Sequence, residues 1–215
     1  TEIGNKRRNG KTEAKSFIVK QPLTKELIQE HLDGKKGIGS IPINKDNNCY
    51  FGVLDIDTYP IDHVEIRKKC EKLKLPLVVC RSKSGGAHLF LFMKEATRAA
   101  EVRDYLGEIS AALGYSGCEI FPKQDSILSE RGDVGNFINL PYFKAQQTMR
   151  YAFDDKGKAM SRSVGNSTIT SQDYYNLPRD IRHERKRLMR FSYEPGNWHK
   201  EITNRMDMFN ETALN

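Results

Sequence analysis

Residues 49–57 read CYFGVLDID, an apolar run that closes on two carboxylates placed two positions apart. Asp46-Asn47-Asn48 supplies a turn before it, and its aromatic and β-branched content makes it a strand. Outward toward the C-terminus, Asp62 and Glu65 have capping-box spacing, and Ile66, Cys70 and Leu73 follow at helical intervals. LPLVVC (75–80) is a short apolar run suited to a buried strand. The small-residue turn RSKSGGA (81–87) leads from it into a second such strand, HLFLFM (88–93). Thr97 then opens a longer helix with Val102, Leu106, Ile109 and Leu113 on its buried side and Gly114 at the C-cap. CEIF (118–121) adds another strand.

Strand, helix, strand, strand, helix, strand between residues 50 and 121 is the order of a ferredoxin-like split βαβ unit. The expected class is α+β, with a mixed, mainly antiparallel sheet. Both helices then pack on one face, and the other is left free for chemistry or a nucleic acid. Further out, Thr24 caps a helix whose Leu27, Ile28, His31 and Leu32 share a face and which ends at Gly34. GIGSIPI (37–43) reads as a strand, and FINLPYF (137–143) and MRYAF (149–153) add extended segments. Three regions result: a basic, flexible lead-in over 1–20, a folded core over 21–160, and a helical basic region over 161–215. In the last, PRDIRHERKRLMR (178–190) carries six Lys/Arg against two acids, which suits a helix tracking a phosphate backbone or a solvated helical face.

At 215 residues the chain has room for one or two domains and a core that needs no staple. No run of 18 apolar residues exists, so no membrane span is expected, and TEIGNKRRNGKTEAK (1–15) has no signal-peptide core. The chain opens on Thr1 rather than Met, as a processed product or an excised domain would. Thirty-five Lys and Arg against 28 Asp and Glu give a net charge of +7, favouring a polyanionic partner. Four cysteines without a CxxC or zinc-finger spacing read as reduced thiols of a cytoplasmic protein.

The polar residues set into this frame carry the chemistry. Asp55 and Asp57, at i and i+2 of a strand, share a face and can converge on one hard cation such as Mg²⁺ or Mn²⁺; otherwise they are solvated acids at a strand end. Ser82, Lys83, Ser84, Gly85 and Gly86 form a turn whose N–H groups and hydroxyls can face an anion, flanked by Arg81 and by His88, a candidate donor to a phosphate oxygen. A plain glycine hairpin turn is the competing reading, and GxxxxGK[ST] is missing. Glu119 falls on the same face as Phe121, either solvated or serving a site, and Lys123 follows as a candidate phosphate contact. Asn136, beside Gly135, can orient a ligand or simply build a turn.

In order and spacing, VLDID, RSKSGGAHLFLF, CEIFPKQ and GNFINLPYF together resemble the archaeo-eukaryotic primase superfamily, over about residues 37 to 145. The likeness is nearest to the primase-polymerase domains of phages, plasmids, TOTE conflict systems and CRISPR-associated enzymes. It implies an RRM-like palm beside an α/β module, and a template-dependent nucleotidyltransferase with primase and/or DNA polymerase activity. It further implies two divalent ions held by Asp55, Asp57 and Glu119, with Asp125 or Asp133 as alternative third acids. Ser84 and His88 would bind the incoming nucleotide's phosphates, and Lys123 and Asn136 fit nucleotide-contacting positions more loosely. Implied partners are single-stranded DNA template and primer, dNTPs or NTPs, and fused or separate helicase, nuclease or CRISPR adaptation proteins, in a prokaryotic or phage-encoded cytoplasmic setting. Two rivals remain: a metal-dependent nuclease, which has little use for a triphosphate cradle, and a non-catalytic RRM-like single-strand binder. HLFLFM has two aromatics but lacks the Lys/Arg-Gly-Phe opening of the RRM motif.

Overall fold

The computed structural model describes residues 2–6, 12–19, 22–154 and 157–159, and two further strands at 181–183 and 191–193. Its strands in chain order are β1 (Glu2–Lys6), β2 (Thr12–Lys15), β3 (Gly39–Ser40), β4 (Asn48–Ile56), β5 (Leu77–Arg81), β6 (Ala87–Arg98), β7 (Glu119–Phe121), β8 (Ile138–Asn139), β9 (Ile181–His183) and β10 (Phe191–Tyr193). The helices are α1 (Lys25–Leu32), α2 (His63–Lys72) and α3 (Ala99–Leu113).

The six elements from β4 to β7 follow the expected order, and their strands form one sheet arranged β5-β6-β4-β7. All three pairings are antiparallel, so the sheet is not mixed as expected. The reason lies in the crossovers. α2 carries the chain from β4 to β5 without making them neighbours, and β6 returns between them; α3 likewise separates β6 from β7 by β4. Strands that run parallel therefore never touch.

Local chemistry explains the helices. Asp62 accepts from the backbone N–H groups of Val64 and Glu65 at 2.9 and 3.0 Å, opening α2, and Thr24 accepts from Leu27 N–H at the start of α1. Each such cap contributes about 1 kcal/mol. Thr97, expected to open α3, stays in β6 opposite Cys49 and bonds back to Glu95; α3 starts at Ala99 without a side-chain cap. Gly114 closes α3 at φ +85°.

α3 lies against β4, β6 and β7, α2 against β5, and the two helices touch. Gly52 makes this packing close: a Cβ there would stand 2.7 Å from Val102 Cγ1 and 2.8 Å from Leu106 Cδ1. By alternation, Phe51, Val53, Phe90 and Phe92 point to the opposite face. That face is not free as expected. The four side chains are 0, 0, 2 and 5% exposed, in one buried cluster with Ile28 and Leu32 of α1 and with Ile138, Leu140 and Tyr142.

The segments expected to be extended form only short pairings. GIGSIPI and FINLPYF meet through β3 and β8 and through Leu140 N–H donating to Ile38 O at 3.0 Å. Of MRYAF, Ala152 bridges Cys80, and backbone bonds from Arg81 N to Tyr151 O and from Phe153 N to Val79 O lay the segment along the margin of β5. The lead-in, expected to be flexible, pairs β1 with β2 as an antiparallel hairpin. Within 178–190, expected as a helix, Ile181–His183 forms β9 instead, paired antiparallel with β10. The rest of the region from 161 lies outside the described residues.

Candidate active site

β4 is the inner strand on which the site is built. Its Asp55 is paired in register with His88 of β6 on one side and Glu119 of β7 on the other, and Cys80 of β5 pairs with His88 in turn. Directly opposed residues share a face, so Cys80, His88, Asp55 and Glu119 form one row across the sheet. His88 Nε2 stands 3.3 Å from Asp55 Oδ1, with side-chain exposures of 12 and 17%. That distance allows attraction, but it exceeds a charge-assisted hydrogen bond and the alignment is poor. Asp55 Oδ1 is therefore a buried carboxylate oxygen without a hydrogen-bond partner. The His88 ring meets Phe90 edge-on at 6.2 Å, which fixes its tilt.

Asp57 stands one residue past the end of β4 and is exposed. There the chain has left the sheet, so the alternation that would align it with Asp55 no longer applies. Its Oδ1 accepts from Tyr59 Oη at 3.0 Å and from Ser84 Oγ at 3.3 Å. Ser84 Oγ also lies 3.2 Å from Ser82 Oγ. The glycine-rich turn is thus tied to the second acid.

The turn joins β5 to β6 and is closed by Ser82 N–H to Gly86 O at 2.8 Å and Gly85 N–H to Ser82 O at 3.3 Å. Gly85 has φ +97°, open to glycine at little cost. Gly86 is required for space: a Cβ would lie 2.3 Å from Ile56 O and 2.9 Å from Asp57 Oδ1. Arg81 donates weakly to Met149 O at 3.5 Å, with its guanidinium beside Gly85, and Lys83 is exposed on the turn.

The remaining expected residues are placed less centrally. Glu119 is 60% exposed and pairs with Lys123 at 2.9 Å, while the Lys123 ammonium lies 5.1 Å from the Phe121 ring centroid. Asp125 is held by Arg103 of α3, which also donates to Pro122 O. Asp133 is exposed in the loop after the 3₁₀ turn Ser129–Arg131. Asn136 is exposed and accepts from Gln124 Nε2 at 2.7 Å. Among the described residues, no three His, Cys, Asp or Glu side chains gather as a metal-binding group. Asp57 engages Tyr59 and Ser84 and Glu119 engages Lys123, while Asp55 Oδ1, with His88 3.3 Å away, is left without a hydrogen bond.

Two contacts escaped the sequence reading. Tyr59 anchors Asp57, and His63, the first residue of α2, bonds Gly86 O through Nε2 at 2.9 Å. The His63 ring also stacks on Phe153, with centroids 5.1 Å apart at 17°. Nothing in the local sequence links His63 to a turn more than twenty residues away.

This antiparallel α/β chain, with an acid–histidine row beside a glycine-rich turn, belongs to the archaeo-eukaryotic primases. The family model that matches, over residues 2–161, is described as the TOTE conflict system archaeo-eukaryotic primase domain. The match takes in the β1–β2 hairpin as well as the sheet. No curated protein matches the chain. Among the described residues, no helix is long and apolar enough to cross a membrane, and Cys49, Cys70, Cys80 and Cys118 are all free thiols.

Proposed function

We propose that this domain is a template-dependent nucleotidyltransferase, a DNA primase and/or polymerase that adds nucleotides to a 3′-hydroxyl on single-stranded DNA. The sheet β5-β6-β4-β7 with α2 and α3 is its RRM-like palm, and α1 with β3 and β8 belongs to the adjoining module. The observation that carries this reading is the row of His88, Asp55 and Glu119 next to a turn whose Ser84 bonds Asp57. Acid groups and an anion-binding turn at one end of one sheet match what joining a triphosphate to a hydroxyl requires.

The metal expected of the family fits Asp55 on its own chemistry. A buried acceptor with no donor is costly, and a cation relieves that cost. All three acids offer the hard oxygen ligands that Mg²⁺ and Mn²⁺ prefer. Two such ions, held by Asp55, Asp57 and Glu119, would favour ionisation of the attacking 3′-hydroxyl and neutralise charge on the α-phosphate and the departing pyrophosphate. Arg81, Lys83, Ser84, Gly85, Gly86 and His88 bind and align the nucleotide's phosphates, and Lys123 and Asn136 contact it from the β7 side. Basic surface holds the template through its backbone, without sequence preference. The rival single-strand binder is disfavoured, because Phe90 and Phe92 are buried and offer no platform for bases.

The test is incubation with primed and unprimed single-stranded DNA, labelled nucleotides and Mn²⁺ or Mg²⁺, with Asp55→Ala/Asp57→Ala as control. Product on the unprimed template, absent from the control, is the result for a primase; extension of the primed template alone identifies a polymerase. DNA binding without product sinks the reading, and shortened DNA points to the nuclease.

A further inference from the structure

We infer that His63 is a positioning residue for the glycine-rich turn, holding it in the form that takes a nucleotide's phosphates. The inference rests on the proposed nucleotide-binding role of that turn.

Three contacts converge on Gly86. Ile56 O and Asp57 Oδ1 occupy the space where a side chain would stand, and Ser82 Oγ lies 3.2 Å from the same point. His63 Nε2 completes the enclosure at Gly86 O. A carbonyl oxygen only accepts, so Nε2 carries the proton and donates it. The ring is itself fixed on two sides: by its place at the first position of α2, which the Asp62 cap anchors, and by its stack on Phe153. Phe153 belongs to the segment bonded along β5. His63 thus joins α2, the margin of the sheet and the end of the turn in one contact set.

The turn has few restraints of its own. It is closed by two backbone bonds, one of them long at 3.3 Å, and by long side-chain contacts from Ser84 to Ser82 and Asp57 at 3.2 and 3.3 Å, with Lys83 and Ser84 exposed. Without the His63 bond, the Gly85-Gly86 peptides regain the freedom that two glycines allow. Ser84 would then no longer be kept within reach of Asp57, and His88 would lose its fixed relation to the turn that precedes it. A disordered turn has to be ordered by the nucleotide on binding, which weakens affinity for it and leaves template affinity alone.

Three variants separate donor from ring. His63→Phe keeps a ring to stack on Phe153 but has no donor; His63→Gln supplies a donor of similar reach; His63→Ala removes both. Two readouts are taken. The first is amide hydrogen exchange at residues 82–86 in the nucleotide-free protein, and the second is equilibrium binding of a fluorescent deoxynucleoside triphosphate and, separately, of single-stranded DNA. Expected for His63→Phe are exchange about tenfold faster at the turn, about tenfold weaker nucleotide binding and unchanged DNA binding, with His63→Gln restored most of the way. Thermal unfolding of His63→Phe should stay near that of the parent. Unchanged exchange and nucleotide affinity in His63→Phe, with a parent that binds nucleotide, overturns the positioning role and leaves the proposed function standing. Equal loss of nucleotide and DNA binding, or no recovery in His63→Gln, also overturns it. A parent that binds no nucleotide overturns the proposed function and this inference together, while the exchange rates still report whether His63 holds the turn.

Discussion

At the scale of single residues, Asp55 is the most exposed to test, because its position is unfavourable for anything except function. Its Oδ1 is buried and unbonded, with His88 near but misaligned. Asp55→Asn removes the charge and keeps the shape. The expected outcome is loss of nucleotide addition by a factor of about a thousand or more, with a thermal unfolding midpoint equal to or above that of the parent. Loss of stability together with activity would instead mark Asp55 as a structural acid. Asp55, His88 and Glu119 stood out in the sequence one by one, each at a strand end or beside a turn and within a motif of the resemblance; that they form one row is set by the register of β4 with β6 and β7, which no single strand's pattern carries. Asp57 was legible as a nearby acid but not in its contacts: the rule of twos ends where the strand ends, and the side chain turns to Tyr59 and Ser84. His63 was not legible, since its bond to Gly86 depends on how the start of α2 meets the turn between β5 and β6.

At the scale of elements, the close approach of α3 to β4 depends on Gly52. Gly52→Ala drives a methyl into Val102 and Leu106, and the expected cost is about 1–3 kcal/mol, read as a lower urea midpoint with an unchanged slope. Gly114→Ala is the contrasting case. Open space surrounds it, but φ is +85°, so it costs about 1–2 kcal/mol through backbone strain alone, without disturbing the sheet. A tolerated Gly52→Ala would mean that α3 can slide on the sheet. The long periodic elements β4, β6 and α3 could be read from sequence because each carries its own pattern. β3 and β8 were read only as parts of the extended segments 37–43 and 137–143; their two-residue bounds and their pairing were not, since two residues hold no period and the core around them decides which ones pair. The N-terminal hairpin did have a signal, Asn9-Gly10 between two short polar alternations, but the density of Lys and Arg around it reads first as a solvated tail.

For the molecule as a whole, His31 sets a limit on acid stability. It is fully buried on α1; its Nε2 donates to Pro141 O at 2.8 Å and its Nδ1 accepts from Ile38 N–H at 3.1 Å. It thereby pins α1 to the chain on either side of β3 and β8 in one neutral tautomer. Burial, with the Arg150 charge adding to it and the Pro141 carbonyl opposing, pushes its pKa down to about 4 from the usual 6.5. The unfolded chain therefore binds a proton that the folded chain refuses between those values, and stability falls as pH drops from about 6.5 to about 4. The loss due to His31 is absent at neutral pH and reaches about 3 kcal/mol below about pH 4. The His31 ring resonances should not titrate above pH 5, and a midpoint near 6.5 in the folded protein would refute the assignment. The covered aromatic face was likewise closed to sequence reading: alternation tells which side chains share a face, but not whether a distant segment lies over it.

The β3–β8 pair has one more consequence, in time rather than in space. Gly39 finds its partner in Asn139, a hundred positions later in the chain. β4, the strand that carries Asp55, likewise waits for β6 on one margin and for β7 on the other. Such distant partnerships make folding slow, because the entropy of closing each loop is lost before its contacts are gained. A chain emerging from the ribosome can assemble α2, the β5–β6 hairpin and α3 early, yet the buried cluster that takes in its aromatic face stays incomplete until Ile138, Leu140 and Tyr142 have emerged. The nascent domain is therefore most vulnerable to aggregation during synthesis of those last segments, when the row of site residues already exists but the layer that shields its neighbours does not.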